Sequence, residues 1–456
     1  MTRAVALARL SERAPVRHWP LLLLAAVALT IGVGAAFDRA VSDAPPRLDP
    51  VVLRPGYGPR NFAEARVQAD VTVDAARRSL ASAPREWLRS EGLARALIAR
   101  WRLSGDYADL AEADHLLDAA LAATPDPAGP VLSRAVLSGL VHRLDEQQRA
   151  LARFDRSVAP DSAEIADAAT LRGDIALQRG ELGRAAVYFV KAERIAASPG
   201  GGLRSAMLRA EQGDRRRAVA ELETLLAMPR QQPAVLAALM LQRANLAYWH
   251  GDWVGAGRWV GAAQRAFPDW WLADAYAAQQ FALAGREVDA IRAYRIVAER
   301  TRRPEVMDAL AHLLRLQGRA ADSRAWAAQA AARWSAQAAL FPEAVAHHRV
   351  EHELAVGSAA AALALARADA ADRPQAPNLV LLARALLSAG RAREARAALD
   401  RADAQGWVSA AQAMARSEVE AALGNTAASR AARAKAEAIN PRAADPRTRL
   451  IWFGHD

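Results

Sequence analysis

The chain has no cysteine among its 456 residues. Disulfides, thiolate metal sites, a cysteine nucleophile and a lipid-modified N-terminal cysteine are excluded, while either redox compartment stays open. Aromatic residues make up only 6% of a chain that is 52% hydrophobic. The core must therefore be built from aliphatic and small side chains, and the abundance of alanine favours closely packed helices. No run of alternating β-branched residues is found, which leaves an all-α reading. Lysine is almost absent, with Lys191 and Lys435 alone, so the net charge of +10 is carried by arginine. The basic clusters at Arg215, Arg216 and Arg217 and at Arg300, Arg302 and Arg303 fall at turns or helix ends among acidic residues. Without a basic stripe interleaved with aromatics, no nucleic-acid partner is expected.

What is present is a repeat. Turn glycines recur at Gly105, Gly180, Gly213, Gly251, Gly285, Gly318, Gly357, Gly390 and Gly424, with Asp145 filling the gap between the first two, and most intervals are 33 to 35 residues. Five, nine and twelve residues after the turn come small, large and small side chains: Ala185, Phe189, Ala192; Ala256, Val260, Ala263; Ala290, Tyr294, Val297; Ala395, Leu399, Ala402. Small residues suit close contact between antiparallel helices, and a large one fills the gap beside them. Glycine accepts the backbone angles that end a helix. Prolines at 125, 160, 229, 268, 304, 374 and 441 then close successive pairs, because proline suits a helix start and spoils a helix middle. Gly357 departs from the pattern, with Ala366 where a large residue is expected.

This set of spacings resembles the tetratricopeptide repeat, a helix-turn-helix unit of about 34 residues, over roughly residues 85–441. The resemblance implies a right-handed α-solenoid of about ten units. Each unit would bury its apolar face against its neighbours, giving an elongated array. Residues 61–84 read as a capping helix and 442–456 as a tail whose Trp452 and Phe453 fold back on the last helix or bind something.

Ahead of the repeats, residues 19–37 form nineteen uncharged positions, WPLLLLAAVALTIGVGAAF, long enough to cross a hydrocarbon layer of about 30 Å. Arg3, Arg9, Arg13 and Arg17 precede them against a single Glu12. Residues 1–18 are therefore expected in the cytoplasm and the repeats outside it. The segment reads as an uncleaved anchor in a bacterial inner membrane. The alternative is a cleaved signal, for which Ala40, Val41 and Ser42 offer small residues. Both place the repeats in the periplasm. Residues 38–60 carry five prolines and two glycines and read as an extended spacer.

One local pattern bears on chemistry. His348, Glu351 and His352 spell H-x-x-E-H, in which a helix could present two histidines to zinc while the glutamate activates water. A further acidic ligand would be needed, with Glu418 or Glu420 the downstream candidates. The surrounding alanine-rich repeat helix favours a polar groove-lining role instead. No nucleophile elbow, phosphate loop or dinucleotide fingerprint occurs. No catalysis, cofactor or metal is therefore expected.

The expected function is a membrane-anchored scaffold or assembly factor that binds a protein or peptide partner. The alternatives are a zinc-dependent periplasmic hydrolase using His348, Glu351 and His352, and a component of envelope polysaccharide export. The resemblance implies that first helices of successive pairs line a concave groove, at fixed distances before each turn. Those distances select Asn245, Tyr248, Trp249, Gln279, Asp308, His312, Arg315, His347, Glu351 and Arg384, with Asp174 and Gln178 earlier in the array.

Overall fold

The computed structural model of the chain describes residues 48–454. The basic lead and the apolar 19–37 segment lie outside the described residues, and among the latter no helix is long and apolar enough to cross a membrane. The described part is all-α: twenty-one helices and one 3-10 turn, with no strand among the described residues.

Helix α1 (Phe62–Ser82) opens on Asn61, whose side chain accepts from the Glu64 amide, satisfying a donor that the first helical turn leaves free. Ten antiparallel pairs follow. They are α2 (Trp87–Ser104) with α3 (Tyr107–Ala122), α4 (Val131–Leu140) with α5 (Leu144–Phe154), α6 (Ser162–Gln178) with α7 (Leu182–Ile195), and α8 (Pro199–Glu211) with α9 (Arg215–Leu226). Next come α10 (Pro233–Trp249) with α11 (Trp253–Ala266), α12 (Trp271–Leu283) with α13 (Glu287–Thr301), and α14 (Pro304–Leu316) with α15 (Ala320–Ala338). The last three are α16 (Pro342–Val356) with α17 (Ala359–Asp372), α18 (Ala376–Ser388) with α19 (Ala392–Asp403), and α20 (Ala410–Ala422) with α21 (Thr426–Ile439).

The spacing read from the sequence has a direct physical basis. Ala185, Phe189 and Ala192 are buried, as are Ala256, Val260 and Ala263, Ala290, Tyr294 and Val297, and Ala395, Leu399 and Ala402. In the third unit the Phe189 ring presses on Gly173 of the facing helix so closely that a Cβ there would overlap it. We expect Gly173→Leu to destabilise the array by about 2 kcal/mol through overpacking, read as a lower urea midpoint at unchanged helix content in water; an unshifted midpoint would refute the contact.

Two turns depart from expectation. Eight of the nine turn glycines have left-handed φ between 66° and 86°, but Gly357 has φ −109° and ends its helix in an extended conformation. In the second unit Asp145 is not the turn residue: His142 takes the left-handed conformation at φ 62°, and Asp145 lies in the first turn of α5. A histidine tolerates that region better than a branched residue would. Its Nδ1 lies 2.8 Å from Gln178 Oε1 on the next unit.

The units do not bury themselves against neighbours alone. The Arg303 guanidinium, just before unit 7, covers Gly105 in the turn of unit 1, and the Tyr107 and Phe341 rings meet at 6.2 Å. Gln405, before unit 10, covers Gly180 in unit 3, and the Val408 amide donates to Glu211 O in unit 4 at 2.8 Å. Asn440, after unit 10, covers Gly251 in unit 5. Successive superhelical turns therefore rest on one another about six units apart, which corrects the expectation of an open array.

The described part of the proline-rich segment also departs from a free spacer. The Gly56 amide donates to Gln231 O at 2.7 Å, and the Phe62 amide to Pro268 O at 3.0 Å. A Cβ on Gly56 would overlap the Arg230 backbone, so the close approach requires glycine.

Candidate functional site

The first helices α10, α12, α14, α16, α18 and α20 face a cavity of about 670 Å³. One side of it is formed by the chain's own C-terminal segment. Asn440 and the 3-10 turn Pro446–Leu450, capped by the Asp445 side chain accepting from the Arg447 amide at 2.9 Å, bring the chain back from α21 towards α12. There it extends through Ile451, and Gln279 reads its backbone in both directions. Gln279 Oε1 accepts from the amides of Trp452 and Phe453 at 2.7 and 2.8 Å, and Nε2 donates to Phe453 O at 3.0 Å.

Phe453 is buried between Tyr276 and Tyr294, with ring centroids 5.6 and 6.4 Å away. The Trp249 indole donates to Gly454 O at 2.9 Å. Gly454 itself has φ 75° and lies against Asn245 and the Tyr276 hydroxyl, where no side chain would fit. His312 Nε2 lies 3.0 Å from Arg449 O, and its ring meets Trp452 at 5.6 Å. Burial, reinforced by Arg315 and Arg449, drives the His312 pKa down to about 4. The neutral ring therefore donates through Nε2–H, since a carbonyl can only accept.

Six of the ten groove residues expected from the sequence border this cavity: Tyr248, Trp249, His312, Arg315, Glu351 and Arg384. Asn245 and Gln279 face the same side but are covered by the tail. His347 binds Asn378 Oδ1 through Nδ1 at 3.0 Å and does not border the cavity. Asp308 requires correction. It is 1% exposed and sits between helices, accepting from the Trp334 indole at 2.7 Å and meeting His352 Nδ1 at 2.6 Å, because long α15 brings Trp334 across its inner side. Further along, Asp174 pairs with Arg204 at 2.6 Å and Gln178 is taken up by His142.

The H-x-x-E-H residues do not converge. His352 is buried against Asp308, whose hydrogen bond and charge raise its pKa although burial opposes this. His348 stacks on Trp334 and meets Glu351 at 3.1 Å. Among the described residues no group of three or more His, Asp or Glu side chains is arranged to hold a metal ion.

What sequence reasoning missed is the tail. Trp452 and Phe453 dock on units 5 to 7, far from the last helix. Their signal was a lone aromatic pair after the last unit; its destination depends on the superhelix and not on local sequence.

No family model matches the chain. No curated protein matches it either. Among solved structures, the chain is similar to a Rap protein complexed with competence and sporulation factor at 11% identity, covering 84% of this chain and 98% of that one with a TM-score of 0.43. It is similar to yeast Tom70 at 12% identity, 82% and 88% coverage and a TM-score of 0.39. A tetratricopeptide repeat protein from Parabacteroides merdae aligns at 16% identity, 66% and 100% coverage and a TM-score of 0.29. The repeat type follows from the chain's own helix pairs, turn glycines and five, nine and twelve spacing. In fold, the chain is an α-solenoid of ten tetratricopeptide-type repeats.

Proposed function

We propose that this chain is a membrane-anchored scaffold that holds an extended peptide segment of a partner protein in the cavity between its first helices. The observation that carries this reading is Gln279 pairing with the backbone of residues 452–453, the way a groove grips an extended peptide irrespective of its side chains. The tail thereby demonstrates the geometry on the chain itself. The cavity beside it, bordered by Trp249, Arg315 and Arg384, is left for a segment in trans. The four arginines before the apolar 19–37 segment support an anchor with the repeats in the periplasm of a bacterium.

A photo-crosslinking residue at Met414, which borders the cavity, should capture a discrete partner, whereas one at exposed Val254 on α11 should not. Arg315→Ala with Arg384→Ala should abolish that capture while leaving helix content intact, since exposed substitutions shift stability by only about 0.5 kcal/mol. Equal capture from both positions would sink the proposal. For the topology, a phosphatase fused after Arg60 should be active and a cytoplasmic reporter at the same place silent. The reverse pattern would overturn the periplasmic location.

A further inference from the structure

We propose that the cavity selects an acidic segment, an extended peptide bearing at least two carboxylates, and that the tail completes the site as its fixed wall. This rests on the scaffold reading above and adds the ligand's charge. Three guanidiniums border the cavity from separate elements: Arg315 on α14, Arg384 on α18 and Arg449 on the tail. None makes a side-chain hydrogen bond or ion pair with another described residue, and all three residues are exposed to the cavity.

The carboxylates around them are differently placed. Glu351 meets His348 at 3.1 Å and His347 at 3.5 Å, and Asp445 accepts from Arg447 at 2.8 Å. Glu418, on α20, is the remaining acidic group and pairs with none of the three arginines. The cavity thus offers three unspent planar donors, whose fork geometry matches carboxylates. Trp452 lies beside them to cover aliphatic stems.

The tail is anchored too firmly to be a plug that a ligand expels. Gln279 is fully buried and its amide is satisfied by the tail backbone. Lifting the tail would leave both ends of that amide unpaired in an apolar surround. Since Arg449 rides on this segment, the site is incomplete without it.

The test uses the full chain in detergent and fluorescein-labelled hexa-glutamate, with hexa-glutamine and hexa-lysine as comparators. Hexa-glutamate should bind best and weaken as salt is raised. Arg315→Gln, Arg384→Gln and Arg449→Gln should each weaken it by about tenfold, whereas Arg66→Gln on exposed α1 leaves it unchanged. Equal binding of hexa-lysine, or wild-type affinity in the three variants, would overturn the proposal. So would tighter binding after removal of residues 446–456, which would make the tail a plug; Arg449→Gln asks the same question with the backbone kept. If hexa-glutamate fails yet Met414 still crosslinks a partner in Arg315→Gln/Arg384→Gln, the charge inference falls and the scaffold reading stands.

Discussion

Replacing Phe453 with alanine should lower the unfolding free energy by about 3 kcal/mol, although the residue lies within four positions of the chain's end. Terminal residues ordinarily tolerate change. This one fills the gap between Tyr276 and Tyr294, and its backbone satisfies a buried glutamine. Losing the ring removes buried apolar area and leaves a cavity, and if the tail then detaches, the Gln279 amide loses its partners as well. Urea unfolding followed by tryptophan fluorescence would measure this, because Trp249 and Trp452 both report on the docked segment. An unchanged midpoint would show that the tail rests on the surface without contributing to the fold.

Glu211→Gln should stabilise the protein at pH 8 and do little at pH 5. The Glu211 residue is only half-buried, but its carboxyl is enclosed at the end of α8, with Oε2 buried and without a partner. Burial pushes its pKa up to about 8 from an ordinary 4.5. A folded-state pKa above the unfolded value means that stability is complete below about pH 4.5 and is lost as pH rises through 8. Each pH unit in that window costs about 1.4 kcal/mol, so the wild type should lose roughly 3 to 5 kcal/mol between pH 5 and pH 8. Glutamine carries no titrating proton, and its denaturation midpoint should be flat over this part of the range. A wild-type midpoint that does not fall between pH 5 and pH 8 would refute the enclosed carboxyl.

Much of the fold was legible because its rules are local. Residues five, nine and twelve after each turn face the partner helix of the same unit, so Phe189, Tyr294 and Leu399 could be placed in the core from spacing alone. The second-unit turn was misread because His142, not a glycine, holds the left-handed conformation, and nothing in its neighbourhood marks it. Asp308 was assigned to the groove by counting back from Gly318. Its true partner, Trp334, is twenty-six residues on, within reach because α15 runs to Ala338. The tail site and the docked 50–60 segment were illegible for a different reason. Both depend on which units a superhelical turn brings together, and that angle is the sum of small rotations no single repeat encodes.

The contacts between units about six apart have a mechanical consequence. An open helical-repeat array behaves as a spring, lengthening under load as each unit pivots slightly on the next. Here extension would have to pull Arg303 off Gly105, Gln405 off Gly180, Val408 off Glu211 and Asn440 off Gly251 together. The coil is latched shut, and its internal width cannot adjust to the cargo. Admission is then decided by cross-section: a folded domain is turned away at the rim, and only a segment already unravelled to a single extended strand can enter.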